Sequence, residues 1–161
     1  MKFRRLTQEE LAELETEFVR FLVSNTVTGD DWEKIKVEKP KEAEGLIEIF
    51  SDIVFEKILK GVDYLEFKSP KDYKTFHFAE KQAKMLGLRV NGESEIDFSK
   101  NDSPAQMMDH IKRSGAELEL YQAEKTYRKS RAEEIFHLME SGALISKEGE
   151  MYKAFEALIV R

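Results

Sequence analysis

The sequence predicts an α+β fold: a small, mostly antiparallel sheet of about four strands covered by helices, in the order ααα-βββ-α-β-αα. Three observations carry that expectation. Helix-capping signatures open several stretches of helical apolar spacing. Between them, around residues 62–90, the apolar pattern changes to short alternating runs. No long polar tract, internal repeat or low-complexity segment separates the two regimes, so 161 residues are read as one domain, 1–161.

The first helix opens at Thr7, where T-Q-E-E has capping-box spacing and Leu6 and Leu11 occupy the hydrophobic-staple positions. Leu11, Leu14, Phe18, Phe21 and Leu22 then recur at helical spacing to near Asn25. A short second helix follows in DDWEKIKVEKP, with Asp30 as its expected cap, ended by Pro40 because the residue before a proline avoids the α region. Pro40 also suits the first turn of a third helix, which Gly61 stops. This helix is apolar almost all round. Leu46, Ile47, Phe50, Ile53, Val54 and Ile58 make one broad stripe, and Phe55 with Leu59 adds a second line.

VDYLEFKS reads as a strand, and KTFHFAEKQAKMLGLRV as a hairpin with a polar turn at Glu80 to Gln82; a short helix across AEKQAKML is the alternative. NGESEIDFSKNDS is a polar loop broken by Ile96 and Phe98. Ser103-Pro104 starts a helix with Met107, Met108 and Ile111 inward, closed by Gly115. ELELYQAEKTY reads as a strand, with a helix as the alternative. Ser130 caps the next helix, which runs to Gly142 with Ile135, Leu138 and Met139 on its apolar edge. A last helix from about Lys147 buries Met151, Phe155 and Leu158.

Composition narrows function. The absence of cysteine removes disulfides, thiolate metal sites and cysteine nucleophiles. A net charge of −6, with no third of the chain net basic, lacks the usual nucleic-acid footprint. The basic start of MKFRRLTQEEL has no apolar region behind it, and no apolar run approaches membrane-spanning length, so a cytoplasmic protein without membrane association is expected. No G-x-x-x-x-G-K-[ST], G-x-G-x-x-G or G-x-S-x-G motif occurs. VNGESE has one glycine and no following helix, so it is no phosphate loop.

RRLTQEELAELETEFVRFL leading to DDWEKIKVEKP, then IFSDIVFEKIL and the closing IFHLMESGALISKEGEMYKAFEALI, resembles an uncharacterised family found in Bacteroidetes, a domain of unknown function, over essentially the whole chain. The resemblance implies a stand-alone bacterial cytoplasmic protein and favours the strand readings. It supplies no activity, cofactor or catalytic residue.

The candidate sites are few. Lys125, Arg128, Lys129 and Arg131, with Tyr121 and Tyr127, gather beside the expected N-terminus of the Ser130 helix, where free amides favour an anion. A phosphate or nucleic-acid backbone would suit them, but Glu124, Glu133 and Glu134 flank the run, so a solvated strand-to-helix connection is preferred. His77, His110 and His137 lack ligand spacing, so no metal is expected. Asp30, Asp31 and Glu33 beside Trp32 are read as capping acids next to a core anchor. The double apolar face of the third helix reads first as core; the alternative is that Phe55 and Leu59 meet a protein partner, a second copy included. The expected function is a non-catalytic protein-interaction or ligand-binding module without cofactor. The alternatives are a nucleic-acid-associated protein using residues 125–131 and an enzyme with an unrecognised site.

Overall fold

The computed structural model describes residues 1–100 and 102–159. The chain divides into two compact units, Met1–Lys60 and Gly61–Arg161.

The first unit is helical: α1 (Gln8–Glu13), α2 (Glu15–Ser24), α3 (Gly29–Glu38) and α4 (Pro40–Lys60). Thr7 caps α1 as expected. Its Oγ1 accepts from the Glu10 amide at 3.1 Å, and the Glu10 carboxylate accepts from the Thr7 amide at 2.9 Å. The expected single helix is broken at Leu14, whose φ of −103° and ψ of 23° lie in the bridge region, so α1 and α2 meet at an angle. The cap of α3 also differs from expectation. Thr28, not Asp30, accepts from the Asp31 amide at 3.1 Å, and the Asp31 carboxylate accepts from the Thr28 amide, so the helix starts at Gly29 and Asp30 falls inside its first turn.

The core of this unit is aromatic. Phe18 meets Trp32 edge-on at 5.2 Å and Phe50 at 5.1 Å, and Phe21 meets Phe50 at 5.4 Å. The α4 stripe is narrower than its composition suggested. Ala43 and Phe50 are buried and Leu46, Ile47 and Val54 pack against the cluster, but Ile53 and Ile58 are about half exposed. The extended segment before α1 is bound along α4 by hydrogen bonds. Asp52 accepts from the Lys2 and Phe3 amides at 2.8 and 3.1 Å. The buried Ser51 hydroxyl accepts from the Leu6 amide at 2.9 Å and donates to the Ile47 carbonyl at 2.6 Å.

Glu10 gives this unit an acid sensitivity. Arg4 donates to both its carboxylate oxygens, at 2.8 and 3.1 Å, and this bond, followed by the Thr7 amide, holds its pKa down at about 2. A carboxylate whose pKa is depressed in the folded state stabilises above its ordinary range and loses that contribution as pH falls. Wild-type stability is therefore expected to drop between pH 4.5 and about 2, and Arg4→Ala should flatten that drop. Carboxyl NMR titration of Glu10 checks the cause: a midpoint at the ordinary carboxylate value would refute it.

The second unit is an antiparallel five-stranded sheet with helices. Its elements are β1 (Tyr64–Ser69), β2 (Asp72–Phe78), β3 (Gln82–Asn91), α5 (Pro104–Arg113), β4 (Glu117–Thr126), α6 (Arg131–Glu140), β5 (Leu144–Ile145) and α7 (Glu150–Ile159). Strand order is β4-β3-β2-β1-β5. Residues 74–90 lie in the preferred hairpin and 117–126 form the preferred strand, and the short strand β5 is an addition to the expected order. α7 starts at Glu150, three residues later than expected, after Gly149 at φ 62°.

Period two divides the sheet's faces. Leu86, Leu88 and Val90 on β3, with Tyr73 on β2, face a core completed by Met107 and Ile111 of α5 and Met151, Tyr152 and Phe155 of α7. The loop pair Ile96 and Phe98 closes it, and the Phe98 amide donates to the Pro70 carbonyl at 3.0 Å. Ala83, Met85 and Gly87 point to the other face. At Gly87 the absence of a side chain is required, because a Cβ would lie 2.2 Å from the Tyr121 ring on the neighbouring strand. The Tyr121 hydroxyl donates to Asp72, and the Arg89 guanidinium lies 4.6 Å from the ring centroid.

Candidate functional site

The basic segment forms the junction between β4 and α6; Tyr127 and Arg131 are half-buried there, and Lys125 is exposed. Lys125 pairs with Glu134 at 2.6 Å, and Glu134 also accepts from the Arg128 amide at 3.3 Å. The Lys125 bond, with the Arg128 amide in support, outweighs burial and lowers the Glu134 pKa. The Tyr127 hydroxyl lies 2.6 Å from the Ala79 carbonyl and 3.0 Å from that of Gln82, which fastens the β2–β3 turn; burial raises its pKa. Arg131 donates to the Val62 carbonyl at 2.5 Å, to the Phe78 carbonyl at 3.1 Å and to Asp63 at 3.2 Å. Arg128 and Lys129 are exposed. Tyr121 is not brought to this cluster, since its hydroxyl is directed to Asp72. Ser130 caps α6 by accepting from the Glu133 amide at 3.1 Å.

The two α4 residues considered for an interface are placed differently from a free patch. Leu59 is 1% exposed. Phe55 carries the Phe3 ring at 5.8 Å and the Arg4 guanidinium at 4.9 Å.

The histidines are dispersed. His77 stacks on Tyr64 at 4.8 Å and lies 5.5 Å from Tyr152. His110 approaches Asp102 at 3.3 Å, and His137 lies on α6. Among the described residues no group of three or more His, Asp or Glu could hold a metal ion. Trp32 is a core residue and Asp31 a capping acid, so the acidic-aromatic stretch at 30–33 is accounted for by helix formation.

The feature that sequence reasoning missed is a groove of about 360 Å³ between α6 and the sheet face that carries Ala83 and Met85. Phe76, Met85 and Ala123 lie on the strands that form it, Leu138 is on its helical side, and Lys125 paired with Glu134 also lines it. No local pattern marks it, because its apolar residues come from three strands and a helix. A larger depression of about 560 Å³ lies between the 93–100 loop and α5. Several of the polar bonds around it hold the loop in shape. Ser99 donates to Asp97 through both its amide and its hydroxyl and lowers that pKa, and the Lys71 ammonium donates to the Ser94 and Ile96 carbonyls.

Fold and groove together define a helix-covered antiparallel α+β protein with an apolar recess beside an edge strand. The chain belongs to DUF6495, a family of unknown function, which matches residues 1–160. No curated protein and no solved structure matches the chain. Among the described residues no helix is long and apolar enough to cross a membrane.

Proposed function

We propose that the protein is a non-catalytic binding module whose α6–sheet groove takes an apolar group of small-ligand size. The observation that supports this reading is the groove's chemistry. Its volume of about 360 Å³ is in the range of small-molecule sites, and Phe76, Met85, Ala123 and Leu138 offer apolar surface. Its lysines pair with its acids, Lys125 with Glu134 at 2.6 Å and Lys84 with Glu124 at 3.9 Å, and His137 is the remaining titratable group on its wall. Acid-base or nucleophilic chemistry calls for groups converging on one point, and a pair neutralising itself serves orientation and solubility instead.

The test uses the fluorescent apolar anion 8-anilinonaphthalene-1-sulfonate. Saturable 1:1 binding to the folded wild-type chain is expected. Leu138→Glu should weaken it at least about tenfold, because losing the burial of one leucine is worth roughly 1.5–3 kcal/mol. Ala123→Trp should fill the recess and abolish binding. Both variants must keep a cooperative unfolding transition, since this dye also lights up loosened cores. Absent saturable binding, or equal binding in wild type and both variants, would refute the groove as the site.

A further inference from the structure

We propose that the protein forms a two-fold dimer by antiparallel pairing of β4 with β4 of a second copy, which joins two five-stranded sheets into one. This inference is independent of what the groove binds and starts from the sheet's edges. One edge is β5, two residues long, a length too short to template a strand. The other is β4, ten residues long and paired only on its β3 side. Its register with β3 runs unbroken from Glu117↔Asn91 to Thr126↔Gln82, so no bulge twists the edge away, and it contains no proline. Gln122 to Thr126 are all exposed. The devices by which edge strands avoid pairing are absent here, apart from charge.

The charges select the partner. In a sheet continuous through a two-fold axis, directly opposed residues must point to the same face, so odd positions face odd positions. Two registers then pair nine residues, one centred on Tyr121 and one on Gln122. The first sets Lys125 opposite Glu117 of the second copy, and the second sets it opposite Glu119. Each makes two opposite-charge pairs and no like-charge pair, because Glu124 falls opposite Leu118 or Leu120. Parallel pairing in register would instead stack Glu117, Glu119 and Glu124 on themselves, which is destabilising. Lys125 already pairs with Glu134 and Glu119 with Arg89, so the new contacts extend rows of alternating charge. The strand is thus guarded against strands of other sequence and complementary to itself. Because Lys125 lines the groove, the second copy's acid would also reach the groove's rim.

Sedimentation velocity across a concentration series tests this. The wild-type chain is expected to approach twice the chain mass. Lys125→Glu alone, and Glu117→Lys with Glu119→Lys alone, should each shift the series to monomer, with affinity at least tenfold lower. An equimolar mixture of the two variants should regain the dimer, since every reversed charge meets its complement, and this recovery requires both to be folded. A wild-type chain that stays monomeric at its highest soluble concentration would overturn the proposal. So would a dimer that survives both variants, or a mixture that stays unpaired.

Discussion

Phe155→Ala is expected to lower the unfolding free energy by about 3–5 kcal/mol, the largest effect of any single substitution considered. Phe155 is fully buried, with its ring edge-on to Tyr73 at 5.6 Å, in the cluster that also holds Leu86, Phe98 and Met151. The cost has two parts. The lost ring forfeits its transfer free energy, and the cavity left behind cannot close, because the sheet on one side is fixed by its hydrogen bonds. A further reason makes this position sensitive. α7 is ten residues long, and isolated helices of that length are marginal in water, so it persists through the side chains it buries. Those are Met151, Tyr152 and Phe155, and removing one of three weakens the docking of the whole helix. Urea unfolding followed by circular dichroism reads the effect. Ile159→Ala, near the exposed end of the same helix, should shift stability by less than about 1 kcal/mol. A Phe155→Ala loss no larger than that of Ile159→Ala would show that the α7 cluster is not the core of this unit.

The same contrast between local and distant causes explains which parts of the structure were legible in the sequence. The caps at Thr7, Ser103 and Ser130 were readable because donor and acceptor lie three residues apart. The hairpin through residues 76–90 was readable because alternation switches faces every residue. Leu14 was not readable as a break. No glycine or proline stands near it, and Leu11, Leu14 and Phe18 all pack on one cluster at the spacing an unbroken helix would give. Thr28 and Asp30 are both good capping types and each has an acid three residues on, Asp31 or Glu33, so the local pattern does not choose between them. β5 has two residues and therefore no period. Ile53 and Ile58 look identical to their buried neighbours on a helical wheel, and their exposure depends on what α4 packs against. Strand order, which makes β4 an edge and gives its charges a role, is set by pairings such as those of β3 with β4, between residues 26 to 44 positions apart, and the groove depends on the same pairings.

Arg131 makes the point at a single residue, and Arg131→Ala is expected to cost about 2–3 kcal/mol, as for hydrogen bonds that involve a charged donor. In the sequence it is one of four cations in seven residues. In the fold it differs from Arg128 and Lys129, because its guanidinium reaches back 53 residues to the Phe78 carbonyl at the end of β2 and 69 residues to the Val62 carbonyl before β1. Val62 and Phe78 are each only 3% exposed, so truncating Arg131 leaves buried acceptors without that donor. The bond to Asp63 adds little, since that carboxylate is 66% exposed. Arg131→Lys should recover only part of the loss, because an ammonium cannot reproduce the planar fork that spans two carbonyls. Arg128→Ala and Lys129→Ala, on exposed side chains, should stay within about 0.5 kcal/mol of wild type. A phosphate-binding segment would behave oppositely: each of the four cations would contribute to affinity and to its salt dependence, and none to stability in particular. Urea titrations of the four alanine variants beside low-salt gel shifts separate the two. Stability lost at Arg131 with mobility unchanged throughout identifies this arginine as the clamp between α6 and the ends of β1 and β2. Equal stability in all four variants would remove that assignment and return residues 125–131 to the surface as a candidate anion site.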